Sequence, residues 1–412
     1  MESKSKMREL EDKYIELLLK RCLNLDKSNG LLISIDLKEH MPIALNAKEK
    51  AIEMGVKDVV IYQSDLDEYY DYLKNTPLED IELNPLLDKS LRNEYAKKGA
   101  AILFFMSSIP GLMSDIEIEK INKANKLAVS TMTYYRENVS SYTFPWTIAC
   151  LPNERWAKQI FSNDENAYKK LYLKIMEMCM ITHDDPIKSW EEFIKRSNEY
   201  KEKLNSLEIT SLHYKNSLGT DLTIGKRKDA QWMNLDKTTV NGTKLIVNMP
   251  SYEIFTSPDY RLTEGIVYAS KPLIYSGNII DKFWLEFKEG KIINYGALVG
   301  EKYLGNLINE DPNCCYLGEV ALVEHNSPIS NTNLVYNNTL FDENASCHLA
   351  LGRGFKLVLP NGNNMSDEEL RKKGINLSLA HTDFMIGTSD LEIEAETNIG
   401  RKLIFKNGNF NI

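Results

Sequence analysis

Residues 31–63 read LLISIDLKEHMPIALNAKEKAIEMGVKDVVIYQ, and this stretch sets the fold class of the first half of the chain. The apolar run Leu31 to Ile35 has the length and branched composition of a buried strand. Pro42 to Met54 follows with helical spacing and stops at Gly55, a residue that closes helices by adopting the left-handed conformation. Val59 to Tyr62 is a second apolar run. A strand, a helix and a strand within about thirty residues make a parallel crossover unit.

Working outward, the pattern repeats. Ala101 to Met106 and Trp146 to Cys150 are two more expected strands, and Leu91 to Lys98, ending at Gly99, and Ile116 to Leu127 are expected helices. Helices are also expected from Asn153, an N-cap residue, through Phe161, from Glu165 to Met180, and from Pro186 to about Asn205. The alternation predicts an α/β N-terminal domain over 1–205 with a mostly parallel sheet. It contains neither G-x-x-x-x-G-K-S/T nor G-x-G-x-x-G, so the alternation does not by itself imply a nucleotide site.

Beyond residue 205 the pattern changes to hairpins. Glu208 to Tyr214 and Asp221 to Ile224 flank Asn216-Ser217-Leu218-Gly219, Phe283 to Phe287 and Lys291 to Tyr295 flank Glu289-Gly290, and Leu403 to Lys406 precedes Asn407-Gly408. With a helix expected from about Leu298 to Ile308, the region 206–412 reads as an α+β C-terminal domain dominated by antiparallel strands. A length of 412 residues fits two domains.

Composition narrows the function classes. Hydrophobic residues at 43% and charged residues at 26% match a globular chain. The net charge of −9, from 59 acidic and 50 basic residues, offers no field for a phosphate backbone, so no nucleic-acid partner is expected. The most apolar run, from Ala100 through Met113, is broken by Ser107, Ser108 and Pro110-Gly111 and is shorter than the roughly 20 residues a bilayer requires, so no membrane partner is expected either. The start, Met1 to Lys6, runs into a mixed-charge helical pattern without an apolar leader, so a cytoplasmic location is expected. Six cysteines without C-x-x-C spacing read as reduced, packed thiols.

The chemistry gathers in the C-terminal half. Three of the six histidines, His325, His348 and His381, lie in the last quarter beside carboxylates. His381-Thr382-Asp383 sits in an apolar run, and alternate residues of a strand face the same way, so the imidazole and carboxylate point to one spot. His348 heads another buried run and needs a hydrogen-bonded or metal-bound role there. Glu319 stands at the head of an apolar strand, and Glu253 lies in a loop-like setting. Three carboxylates and two imidazoles suit two divalent ions such as zinc, cobalt or manganese. Taken singly, each of these is more often a paired structural residue, and no H-E-x-x-H motif is present. Cys347 reads as a packed thiol, and His183-Asp184-Asp185 as a cap or surface feature before Pro186.

Several ordered motifs then carry a resemblance. Glu253 to Pro258, Lys271-Pro272-Leu273, Gly318 to Val323, Ser327-Pro328-Ile329-Ser330, Leu340 to His348 and His381 to Gly387 resemble the aminopeptidase T/aminopeptidase S/PepS family. The resemblance implies a two-metal, cobalt- or zinc-dependent hydrolase that removes N-terminal residues from peptides and forms a homodimer enclosing its active sites. It places Glu253, Glu319, His348, His381 and Asp383 on the family's metal ligands, with Glu319 as the expected bridge. In that mechanism the ions activate water and polarise the scissile carbonyl.

One position departs from the family. Seven residues after the histidine matching His348, the family carries a tyrosine that hydrogen-bonds the reacting carbonyl; this chain has Phe355. Arg353 and His325 are the nearby substitutes for that donor, and Tyr252 is a further atypical position. Two other functions fit part of the pattern. A ring-cleaving dioxygenase of related fold would hold one iron on His348, His381 and Asp383, leaving Glu253 and Glu319 unexplained. A catalytically impaired metal-binding relative would follow from the loss of the phenol at Phe355.

Overall fold

The structure, a computed structural model, describes residues 2–162 and 164–412. The N-terminal alternation folds as a five-stranded sheet. Its strands β1 (Leu31–Ile35), β2 (Val59–Gln63), β3 (Ala101–Met106) and β4 (Trp146–Cys150) are joined at one edge by the short strand Asn248–Met249, in the order 248–249, β4, β3, β1, β2. Every pairing is parallel. The first strand is buried along its whole length, as a central strand covered by helices on both faces must be. Met41–Glu53, Ser90–Lys97 and Ile118–Ser130 are helices between these strands. Asn153 caps the helix Glu154–Ile160 by accepting from the backbone N–H of Trp156.

The chain divides into two compact units, Met1–Glu192 with Leu235–Pro250, and Phe193–Asn234 with Ser251–Ile412. The sequence places one junction near 205; the units are instead divided at three points, because Asn248–Met249 hydrogen-bonds to β4. A two-residue strand carries no periodicity, so the sequence gives no sign of it.

The second unit contains two antiparallel sheets. The larger has nine strands, including the expected hairpins Ser211–Lys215 with Asp221–Gly225 and Asn278–Lys288 with Lys291–Val299. The helix expected from about Leu298 begins at Glu301, because the preceding strand runs on to Val299 and Gly300 turns the chain with φ 76°. A side chain at Gly300 would lie 2.2 Å from the Ile279 carbonyl oxygen, which leaves room only for glycine.

The smaller sheet runs β8 (His381–Met385), β7 (His348–Gly352), β6 (Leu317–Leu322), β5 (Ile254–Thr256) and finally Met233–Asn234. One face supplies Val320, Leu322, Leu349, Leu351 and Phe384 to a core shared with Leu212, Leu222, Val267, Phe283 and Ile393 of the larger sheet. Among the described residues no helix is long and apolar enough to cross a membrane. All six cysteines are free and buried.

Candidate metal centre

The register of the smaller sheet explains how distant residues meet. Glu319 pairs with Ala350, which pairs with Asp383; Ala321 pairs with His348; Gly352 pairs with His381; and Phe255 pairs with Ala321. Directly opposed residues point to the same face, so Glu319, His348, His381 and Asp383 all project away from the apolar core. Ala321, Ala350 and Gly352 lie between them, and these small residues leave space above the sheet.

Glu319 reaches that face through an irregularity. Leu317 pairs with Leu351 on the core side, yet Glu319, two residues on, pairs with Ala350 on the other side. The register shifts between them, so Gly318 is the extra residue of a bulge that re-aims the following side chain. A Cβ at Gly318 would lie 2.4 Å from the carbonyl oxygens of both Gly352 and Arg353. Glu253, immediately before β5, shares a face with Phe255 by the two-residue period. Asn344 holds the neighbouring loops together, accepting from the Tyr252 N–H at 2.6 Å and donating to the Leu340 carbonyl at 2.9 Å.

Two donor groups result. Glu253, Glu319 and His348 present ligand atoms within 4.8 Å of one another, as do Glu319, His381 and Asp383. Glu319 belongs to both. His348 Nε2 lies 3.2 Å from Glu253 Oε2, and His381 Nε2 lies 3.0 Å from Glu319 Oε2 and 3.3 Å from Asp383 Oδ1. His348 is 1% exposed while His381 keeps 26%, so the second group is the one open to solvent.

The outer ring nitrogens fix the tautomers. His348 Nδ1 donates to the carbonyls of Glu343 at 2.9 Å and Ser346 at 3.1 Å, and His381 Nδ1 donates to the Arg353 carbonyl at 2.7 Å. A neutral imidazole held this way turns its Nε2 lone pair toward carboxylate oxygens, a repulsive arrangement that needs positive charge between the partners. Asp383 Oδ1 is buried without a well-directed hydrogen bond. The donors therefore fit divalent cations, for which neutral imidazole and carboxylate are ordinary ligands.

The electrostatics without cations show the same demand. Burial pushes the Glu319 carboxyl up to about 7, His381 opposing and Asp383 and Glu253 reinforcing the shift. Burial opposes a charge on His348, yet the Glu253 carboxylate outweighs it and lifts the imidazole to about 10. His381, also disfavoured by burial, is held well above its ordinary value by Asp383 and Glu319. Burial works against ionised Asp383 too, but His381 and His348 hold its carboxyl below the usual range.

Glu343, whose backbone carbonyl accepts from His348 Nδ1, belongs to neither donor group. Burial, then the nearby charges of Asp383 and Glu253, keep its carboxyl well above the ordinary value. Asp342 is spent locally, accepting from the backbone N–H groups of Tyr336 and Asn338.

Phe355 lies beside the centre, its ring 5.2 Å from the His381 ring and 5.1 Å from that of Phe255. Arg353 is turned away, with Nε donating to the Ser378 carbonyl at 2.7 Å. His325 belongs to neither donor group. The Cys347 thiol is buried against the Val323 carbonyl, and burial pushes it up to about 12, which suits packing rather than nucleophilic attack. Asp185 caps the helix Pro186–Ser206, accepting from the Lys188 N–H.

Comparison with known proteins adds an independent line. The family described as thermophilic metalloprotease (M29) matches residues 7–410. The chain is 36% identical over 402 residues to aminopeptidase 2 of Geobacillus stearothermophilus, covering 97% of each. Among solved structures, wild-type AmpT from Thermus thermophilus matches with a TM-score of 0.89 at 29% identity, over 98% of this chain and 99% of that one. The 2,5-dihydroxypyridine dioxygenase from Pseudomonas putida KT2440 matches at a TM-score of 0.52 and 12% identity, over 98% and 96%, a likeness of fold alone.

Proposed function

The chain belongs to the M29 family of metalloproteases, and from that premise we propose that it is an aminopeptidase working through two divalent cations. The observation that carries the dinuclear reading is the pair of donor groups that share one carboxylate. Glu253, Glu319 and Asp383 converge with two imidazoles in two sets that meet at Glu319. A cation in one set alone would leave a carboxylate of the other buried without a metal partner, a costly state.

In this reading Glu253, His348 and Glu319 would hold one cation and Glu319, His381 and Asp383 the other, Glu319 being common to both groups. When bound, such cations supply Lewis acidity, activating water near neutral pH and polarising the peptide carbonyl. The chain's own part is orientation: the carbonyls of Glu343, Ser346 and Arg353 hold the two imidazoles in one tautomer and one plane. Phe355 and Phe255 give the open side an apolar wall, so a phenol that would donate to the developing oxyanion is replaced by hydrophobic surface. Zinc or cobalt is the proposed metal, with manganese as a further candidate, and a cytoplasmic homodimer is the proposed working form.

The ring-cleaving dioxygenase reading uses a two-histidine, one-carboxylate iron site. It leaves Glu253 and Glu319 without a metal partner, so the aminopeptidase is favoured. A decisive experiment measures metal content and hydrolysis of L-leucine p-nitroanilide beside its N-acetylated form. About two divalent ions per chain and cleavage of the free-amine substrate alone are expected. One iron per chain with oxygen uptake on a dihydroxypyridine would replace this reading. Full metal loading without cleavage of any peptide, reversed in Phe355→Tyr, would establish an impaired relative. Light scattering of the loaded protein tests the dimer.

A further inference from the structure

A cavity of about 240 Å³ lies in the other unit, among residues the metal centre does not involve. Its place follows from the strand order. The chain passes from β1 to β2 on one side and then to β3 on the other, so the connections diverge between β1 and β3. Open parallel sheets bind ligands in the crevice at the carboxyl ends of strands at such a reversal. Asp36 follows β1, Ser64 follows β2, and both line the cavity.

The sheet prepares a cationic floor there. Ser34 pairs with Tyr62 on one side and with Phe104 on the other, so a small hydroxyl sits between two rings on one face. Arg92 donates to Ser34 Oγ at 2.8 Å, with its guanidinium 4.6 Å from the Phe104 ring and 5.8 Å from the Tyr62 ring. Lys89 Nζ donates to the Tyr62 hydroxyl at 3.2 Å and the Leu86 carbonyl at 3.3 Å. Among the described residues neither cation forms an ion pair with a carboxylate, and Arg92 Nε is buried with no hydrogen-bond partner. Arg92 and Lys89 both line the cavity, and their remaining N–H groups can give a ligand oxyanion charge-assisted hydrogen bonds.

The same cavity also holds an opposite charge, Asp36, which feels the field of both cations. Asp36 accepts from Ser64 Oγ at 3.2 Å. Burial is the main influence on its carboxyl, raising it to about 6 against the pull of Arg92, so it is ionised above neutral pH. Phosphate is a poor fit: the adjoining helix Leu66–Asn75 already has its first N–H groups bonded by the Asp65 carboxylate, and the loops lack a glycine-rich cradle. Leu66, Leu87 and Ala128 give the wall an apolar part, beside the polar Gln63, Asp65, Glu68 and Asn125. The volume is below that of pockets for drug-sized molecules.

We propose that this cavity binds a free apolar α-amino acid, with its carboxylate on Arg92 and Lys89, its ammonium on Asp36 and its side chain against the apolar part of the wall. The proposal does not rest on the reading of the metal centre. Calorimetric titration of L-leucine into the metal-loaded full chain tests it. Saturable binding is expected, weakened at least tenfold in Arg92→Met and in Asp36→Asn, and retained in Glu319→Gln. The des-amino analogue 4-methylpentanoate should bind wild type at least tenfold more weakly than leucine. Lys89→Met, with a melting curve beside it, serves should Arg92→Met fail to fold. Absence of leucine binding, or binding lost in Glu319→Gln but kept in Arg92→Met, overturns the proposal. Inorganic phosphate displacing leucine with equal strength in wild type and Asp36→Asn overturns the zwitterion assignment.

Discussion

Replacing Gly318 by alanine tests whether the bulge in β6 aims the centre. The added Cβ would stand 2.4 Å from the carbonyl oxygens of Gly352 and Arg353 and 2.5 Å from the Arg353 carbonyl carbon. Carbon to oxygen contacts settle at about 3.3–3.6 Å, so the two segments must part by about 1 Å. All the obstructing atoms are backbone, which gives the strain no flexible side chain to relax into. The movement acts on the cluster twice: Glu319 is the next residue, and the displaced Arg353 carbonyl is the acceptor that orients His381 Nδ1 at 2.7 Å. Overpacking of this kind costs about 1–3 kcal/mol, or a fall in melting temperature of about 2–12 °C. A 1 Å misplacement of reacting groups costs about a hundredfold in rate. The assay is kcat/KM on L-leucine p-nitroanilide, with metal content and scanning calorimetry on the same sample. Gly354→Ala is the control, since its Cβ would meet neighbours at 3.2–3.3 Å and should cost less than about tenfold. A Gly318→Ala protein that melts earlier but keeps wild-type metal content and kcat/KM would refute the aiming role and leave the glycine a purely structural one.

Chelation should abolish hydrolysis and lower the melting temperature, since a ligand that binds only the folded state stabilises it; zinc or cobalt should restore both, and full activity after exhaustive chelation would exclude the metal mechanism. In the metal-free chain, His348 has a folded pKa raised to about 10 against an ordinary 6.5, so its stabilising contribution is complete below about pH 6.5 and is lost as pH rises through 10. Urea melts of chelated protein should therefore show His348 favouring the fold more at pH 7 than at pH 10.5, a difference that His348→Gln should remove; an unchanged pH dependence in the variant would contradict this. Phe355→Tyr should raise kcat/KM by about ten- to a hundredfold if a phenol beside His381 can donate to the oxyanion, and steady-state kinetics showing no gain would remove that position from the chemistry.

How much of this was legible in the sequence follows from the range of each signal. The alternation from Leu31 to Gln63 gives the parallel sheet, because the apolar runs and the glycine stop are local. The spacing His381-Thr382-Asp383 likewise gives two side chains on one face, since a strand alternates every residue. The family motifs extend that reading to an ordered set of acidic and imidazole positions from Glu253 to Asp383. What lay beyond it depends on pairing between segments far apart in the chain. Only the register shift at Gly318 turns Glu319 off the core face and opposite Ala350 and Asp383. Only the folded loop around Asn344 ties the segment carrying Glu253 to the one that leads into His348, and only packing of helix residues over the sheet gathers Asp36 and Arg92 around one cavity. Periodicity encodes the direction of a side chain relative to its own backbone; which groups share a site is decided by register and packing, where long-range hydrogen bonds and burial set the outcome.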